Sequence, residues 1–146
     1  TLEGGQFCVL APSGLSALSL VDMAFLRTGD ELLIPDNAYG PNVAFAEGEL
    51  AQWGITHRRY NPMDPADLTA KLSSATRLVW LEVPGSVTLE YPDVPALVAV
   101  VFQPRAPVLV VQAPVRVLAG ARQSVDWRAI PTRALLQMRR AFPCSS

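Results

Sequence analysis

Ser13-Gly14-Leu15 is the stretch whose residue types are best suited to hold a ligand. Serine is a favoured helix N-cap, and glycine lets a backbone come close to a bound group. Apolar residues then follow at Leu15, Leu18, Leu20, Val21, Ala24 and Phe25, near helical spacing. The first N–H groups of a helix have no intrahelical partner and sit at the positive end of its dipole, so they receive an anion, phosphate above all. Most Ser-Gly turns at helix starts are caps and nothing more, so the neighbouring loops decide between the two readings.

Other reactive residue types read as structural. Ser13 is no hydrolase nucleophile, because the Gly-x-Ser-x-Gly elbow is missing. His57 lies beside Arg58 and Arg59 on an expected strand and reads as a surface or edge residue. Asp36 and Glu82 would be the acid pair to consider, with nothing else supporting one. Tyr39 reads as a loop tyrosine covering the edge of the core. Lys71, the sole lysine, reads as a solvated helix residue. Cys8 sits in an apolar run and packs; with Cys144 it forms no metal or redox spacing, and a reduced, cytoplasmic setting is the default. These patterns assign no catalytic group and no metal ligand.

The elements that must position these residues follow from pattern. A helix is expected from about Gly14 to Arg27, with Gly29 as its C-cap. Glu31–Pro35 is a short apolar strand, and 36–41 a loop rich in turn residues. Asn42 is expected to cap a second helix through Val43, Phe45, Ala46, Leu50 and Trp53, stopping at Gly54. Ile55–Tyr60 is a further strand. Asp64 or Asp67 opens a short helix with Leu68 and Leu72, and Arg77–Glu82 is a strand. Asp93 caps a helix with Pro95 in its first turn. Cys8–Ala11 is a candidate brief buried strand leading into the Ser13-Gly14 turn, and Val108–Val111 a candidate further strand. Alternating strands and helices predict an α/β fold with a mostly parallel sheet and flanking helices. Such sheets bind ligands at the carboxyl ends of their strands, which singles out loops 12–15, 36–42 and 82–86.

Charge is unevenly divided. Residues 1–100 hold 12 Asp and Glu against 4 Arg and 1 Lys, whereas 101–146 hold 7 Arg against Asp126 alone. The arginines after 101 are scattered among Val, Ala and Pro, which argues against a nucleic-acid arm and for a stretch read out of frame from a GC-rich gene. No apolar run is long enough for a transmembrane helix. The start at Thr1 points to a fragment.

LEGG at 2–5, APSGLSAL at 11–18, GDELLIPDNAYGP at 29–41 and TRLVWLEVPGSVTLEYPDVPALVA at 76–99 together resemble the pyridoxal-phosphate enzymes of cysteine and methionine metabolism, within the aspartate-aminotransferase-like fold. Glu82-Val83-Pro84-Gly85-Ser86 is most similar to their bacterial cystathionine β-lyase branch. The resemblance covers roughly residues 1–100. It implies a partial cofactor domain over 1–100, with 101–146 a divergent tail. It implies pyridoxal phosphate held by the backbone N–H groups of Gly14 and Leu15 in a cup begun by Ser13, with Tyr39 stacked on the ring and its hydroxyl placed to move protons. Glu82 and Ser86 shape the substrate-side loop. The implied reaction cleaves cystathionine to homocysteine, pyruvate and ammonia. The implied partners are a small amino-acid substrate and further copies of the chain, with no nucleic acid and no membrane.

The same resemblance leads to an aspartate in an Asp-Asn-Thr run after the Pro95 helix, and to a Schiff-base lysine in Ser-x-Thr-Lys further on. Here Gln112-Ala113-Pro114 follows the last apolar run, and no lysine follows Lys71. The expectation is an inactive fragment with no covalent cofactor attachment. Competing readings are a non-catalytic α/β module for a phosphorylated or anionic ligand, a related γ-synthase or γ-lyase, and a nucleic-acid binder through the tail.

Overall fold

The computed structural model describes residues 11–101 and, as backbone, 109–113. The strand expected over Cys8-Val9-Leu10, the LEGG segment and the tail beyond Ala113 lie outside the described residues. The elements run α1 (Gly14–Phe25), β1 (Glu31–Pro35), α2 (Gly40–Phe45) continued by a π-turn (Ala46–Leu50), β2 (Thr56–Tyr60), α3 (Pro65–Lys71), β3 (Thr76–Glu82), α4 (Val94–Val101) and β4 (Leu109–Ala113). The strands form a sheet of order β2-β1-β3-β4, parallel at each pairing.

Burial follows sheet position. β1 and β3 are interior and nearly continuous in apolar residues, as strands covered on both faces must be. β2 is an edge strand, buried only at Tyr60 and otherwise carrying His57, Arg58 and Arg59 outward, where charge blunts an open edge. The sheet divides the core in two. On one face Leu18, Val43, Ala46 and Leu50 pack on Leu32, Ile34, Leu78 and Trp80. On the other, Leu68, Leu97 and Val101 pack on Leu33, Val79 and Leu81. Thus α1 and α2 cover one face, and α3 and α4 the opposite one.

Local chemistry explains the ends. Asp64 caps α3 by accepting the Ala66 N–H at 2.9 Å, and Asp93 caps α4 by accepting the Ala96 N–H at 3.1 Å. Gly54 stops the second helix at φ 73, where a Cβ would also meet Thr28 Cγ2 at 2.9 Å. Two expectations are corrected. α1 ends at Phe25 with Leu26 as C-cap in extended backbone, and Gly29, at φ 92, serves the turn into β1 instead. Asn42 is no cap: α2 begins two residues earlier at Gly40, because Pro41 is preset for a first helical turn, and Asn42 is buried inside the helix.

Candidate functional site

The turn expected to cradle an anion is formed. Ser13 is the N-cap of α1, with φ −154 and ψ 165. Its Oγ accepts the Ser16 N–H at 3.1 Å, and its carbonyl accepts the Ala17 N–H at 3.0 Å. The hydroxyls of Ser13 and Ser16 are 2.8 Å apart. The N–H groups of Gly14 and Leu15 therefore remain without a protein partner among the described residues. Gly14 is exposed, and a Cβ there would meet nothing within 4 Å, so the approach to these two groups is open. Because α1 hands the chain to β1 through the short turn 26–30, it starts at the opposite, carboxyl edge of the parallel sheet.

Two loops meet at that edge. Tyr39 follows β1, and the residue is 40% exposed. The Tyr39 N–H donates to Glu82 Oε2 at 2.8 Å, linking the end of β1 to the last residue of β3. The Ser86 N–H donates to the Asn37 carbonyl at 2.9 Å. Gly85, after the cis Val83–Pro84 peptide, lies so close to Asn37 that an added Cβ would be 2.6 Å from its Nδ2. The side chains of Asn37 and Glu82 are both buried, and Asn37 Oδ1, Asn37 Nδ2 and Glu82 Oε1 have no partner among the described residues. Burial pushes the Glu82 carboxyl above its ordinary range, against the pull of the Tyr39 N–H and, less strongly, of the Ser86 hydroxyl.

The remaining reactive residues sit elsewhere. Asp36 pairs with Arg59 at 3.1 Å while Glu82 binds Tyr39, so the two make no acid pair. His57 is half-buried on the edge strand. Lys71 pairs with Asp67 at 2.8 Å at the carboxyl end of α3. That places it on the face opposite α1 and beside the amino end of β3, away from Gly14. In β4, Gln112 is in register with Leu81 and Ala113 with Glu82, so non-ionising residues occupy the strand end where an aspartate was expected. Ser13, Gly14 and Leu15 lie on the turn into α1 and Tyr39 on the loop after β1, where the sequence pattern puts them, whereas the contacts of Asn37 and Glu82 have no signal in the sequence. Their partners lie more than forty residues away, beyond any local pattern.

Known proteins resemble this chain in sequence and in fold. The profile of the Cys/Met metabolism PLP-dependent enzyme family matches residues 1–115. The chain is 42% identical over 100 residues to the cystathionine β-lyase MetC of Escherichia coli, covering 68% of this chain and 25% of that protein. It is 38% identical over 100 residues to the cystathionine β-lyase of Salmonella typhimurium, with the same shares covered. Its fold matches the crystal structure of MetB from Corynebacterium glutamicum with a TM-score of 0.70 at 23% identity, over 75% of this chain and 28% of that one. The chain thus spans about a quarter of the length of the relatives it matches. Among the described residues no helix is long and apolar enough to cross a membrane.

Proposed function

The chain belongs to the Cys/Met metabolism PLP-dependent enzyme family, and from that premise we propose that it carries the phosphate- and ring-holding part of a carbon–sulfur β-lyase site. The cofactor is pyridoxal phosphate. When bound, it supplies the electron sink that lets an amino acid lose a proton at Cα and a substituent at Cβ. The observation that carries the proposal is the pair of N–H groups of Gly14 and Leu15, unpartnered among the described residues, at an open helix start. They donate to the phosphate, the Ser13 hydroxyl lies beside them, and the α1 dipole favours the negative charge. Tyr39 lays its ring face against the pyridine ring, and its hydroxyl holds or passes a proton at the substrate side.

Three further residues bear on activity. A carboxylate holds a proton on the pyridine nitrogen; glutamine and alanine, at the end of β4, cannot do so. Lys71 is ion-paired on the far face. The 146-residue chain is therefore a binding fragment that completes no turnover by itself, with residues 1–100 a partial cofactor domain and 101–146, β4 apart, a divergent tail. Kinship with the two cystathionine β-lyases favours cystathionine as the substrate of the intact relative; its action as a homo-oligomer in the cytoplasm is part of the same proposal. The test is equilibrium binding of pyridoxal phosphate against pyridoxal. Tight binding of the phosphorylated form, competed by inorganic phosphate, supports the reading. Equal affinity for both would refute the phosphate cup.

A further inference from the structure

We propose that Glu82 is the positioning residue for Tyr39, fixing the aromatic ring at the site through the backbone rather than through the side chain. The inference rests on the cofactor-site reading only for what the ring is held against.

Tyr39 is poorly held by anything local. It is the N-cap residue of α2, yet its side chain makes no capping bond, and the ring is too exposed for packing to fix it. Its carbonyl is committed to α2, accepting the Asn42 N–H at 2.9 Å. Its N–H is committed to Glu82 Oε2 at 2.8 Å. Those two bonds set the peptide planes on either side of the Tyr39 Cα and hence the direction of its side chain. Glu82 is suited to the task, because it ends the interior strand β3 and is itself 4% exposed.

A buried carboxylate costs stability unless it is paired, and no cation pairs with Glu82 among the described residues. The nearby Asp36 and Arg59 pair with each other at 3.1 Å, and the Glu90 carboxylate takes the Thr88 hydroxyl at 3.0 Å. The Tyr39 N–H donates to Glu82 Oε2, the Ser86 hydroxyl adds a weaker pull on the same carboxyl, and Oε1 is buried without a close partner among the described residues. The Ser86–Asn37 bond and the tight seat of Asn37 on Gly85 stiffen the same junction from its other side. A carboxylate retained there under such cost serves the junction it holds, and its strongest bond there is to the Tyr39 N–H.

The experiment is to follow the Tyr39 backbone amide by NMR in the ¹⁵N-labelled 146-residue chain while pH is varied. In wild type the amide proton is held downfield at neutral pH and moves upfield on acidification, with an inflection above the ordinary 4.5, since burial pushes the acid up. Glu82→Gln keeps an acceptor and abolishes the inflection. In parallel, Glu82→Ala weakens pyridoxal phosphate binding about tenfold, Glu82→Gln restores most of it, and neither change adds to the loss in Tyr39→Ala. A Tyr39 amide that ignores pH in wild type, or an inflection that survives Glu82→Gln, overturns the proposal. An amide that titrates as described in a chain with no affinity for pyridoxal phosphate supports the positioning role and refutes the cofactor-site reading.

Discussion

The Trp80 indole N–H donates to Asp22 Oδ1 at 2.9 Å inside the core between α1 and the sheet. Asp22 is fully buried, and its other oxygen has no partner among the described residues. Burial pushes its pKa up to about 7 from 3.8, although the indole bond pulls the other way. The folded chain therefore keeps a proton on Asp22 that the unfolded chain releases. Stability falls as pH rises from 3.8 towards 7 and stays low above that. Asp22→Asn keeps an acceptor for Trp80 and removes the cost of ionisation. It is expected to raise stability above pH 7 by about 2 kcal/mol, with roughly 4 as a ceiling, and to change little in acid. Urea denaturation at acid and at mildly alkaline pH checks this; an equal effect at both would contradict it.

Glu31 makes the opposite prediction. Burial raises its pKa, but bonds from Arg58, Thr76 and Ser73 together outweigh burial and bring the value below 4.5. Its stabilising contribution is present above 4.5 and is lost as pH falls through the lower folded value. Glu31→Gln is expected to cost about 1–3 kcal/mol at neutral pH, a difference that closes in strong acid. Thermal melts across that range decide it.

Much of this fold is legible one residue at a time. The apolar runs Glu31–Pro35 and Arg77–Glu82 announce strands, and Asp64-Pro65 and Asp93 announce helix starts, because each signal acts within a turn of its own position. Asp22 hides among Leu18, Val21 and Phe25 on the apolar face of α1; only the indole of Trp80, which is 58 residues away, accounts for it. Leu20 belongs to the apolar run in sequence and is nevertheless exposed. The Glu82–Tyr39 bond spans 43 residues, and strand register alone brings its ends together. The Ser13 turn is legible because capping is local chemistry, whereas the loop junction beside it depends on tertiary structure.

Lys71 offers a test of separation between the cofactor site and the sole lysine. It is part-exposed and tied to Asp67 across one turn of α3, on the face of the sheet opposite α1. Lys71→Ala is expected to leave pyridoxal phosphate affinity within about twofold of wild type, as for an ordinary surface change. Loss of binding, or of a visible absorbance band that only the lysine-bearing chain shows, would contradict its placement.

The most direct measurement is the affinity of Gly14→Pro for pyridoxal phosphate. Proline removes the N–H proposed to hold the phosphate, yet it is at home in the first position of a helix. Ser13 already has the extended backbone that a residue before proline prefers, and a Cβ at 14 meets nothing within 4 Å. α1 is therefore expected to survive, with its circular dichroism and melting unchanged. One charge-assisted hydrogen bond is lost, so affinity is expected to fall about tenfold or more, while that for unphosphorylated pyridoxal stays as it was. A folded Gly14→Pro chain that binds pyridoxal phosphate as tightly as wild type would contradict the account.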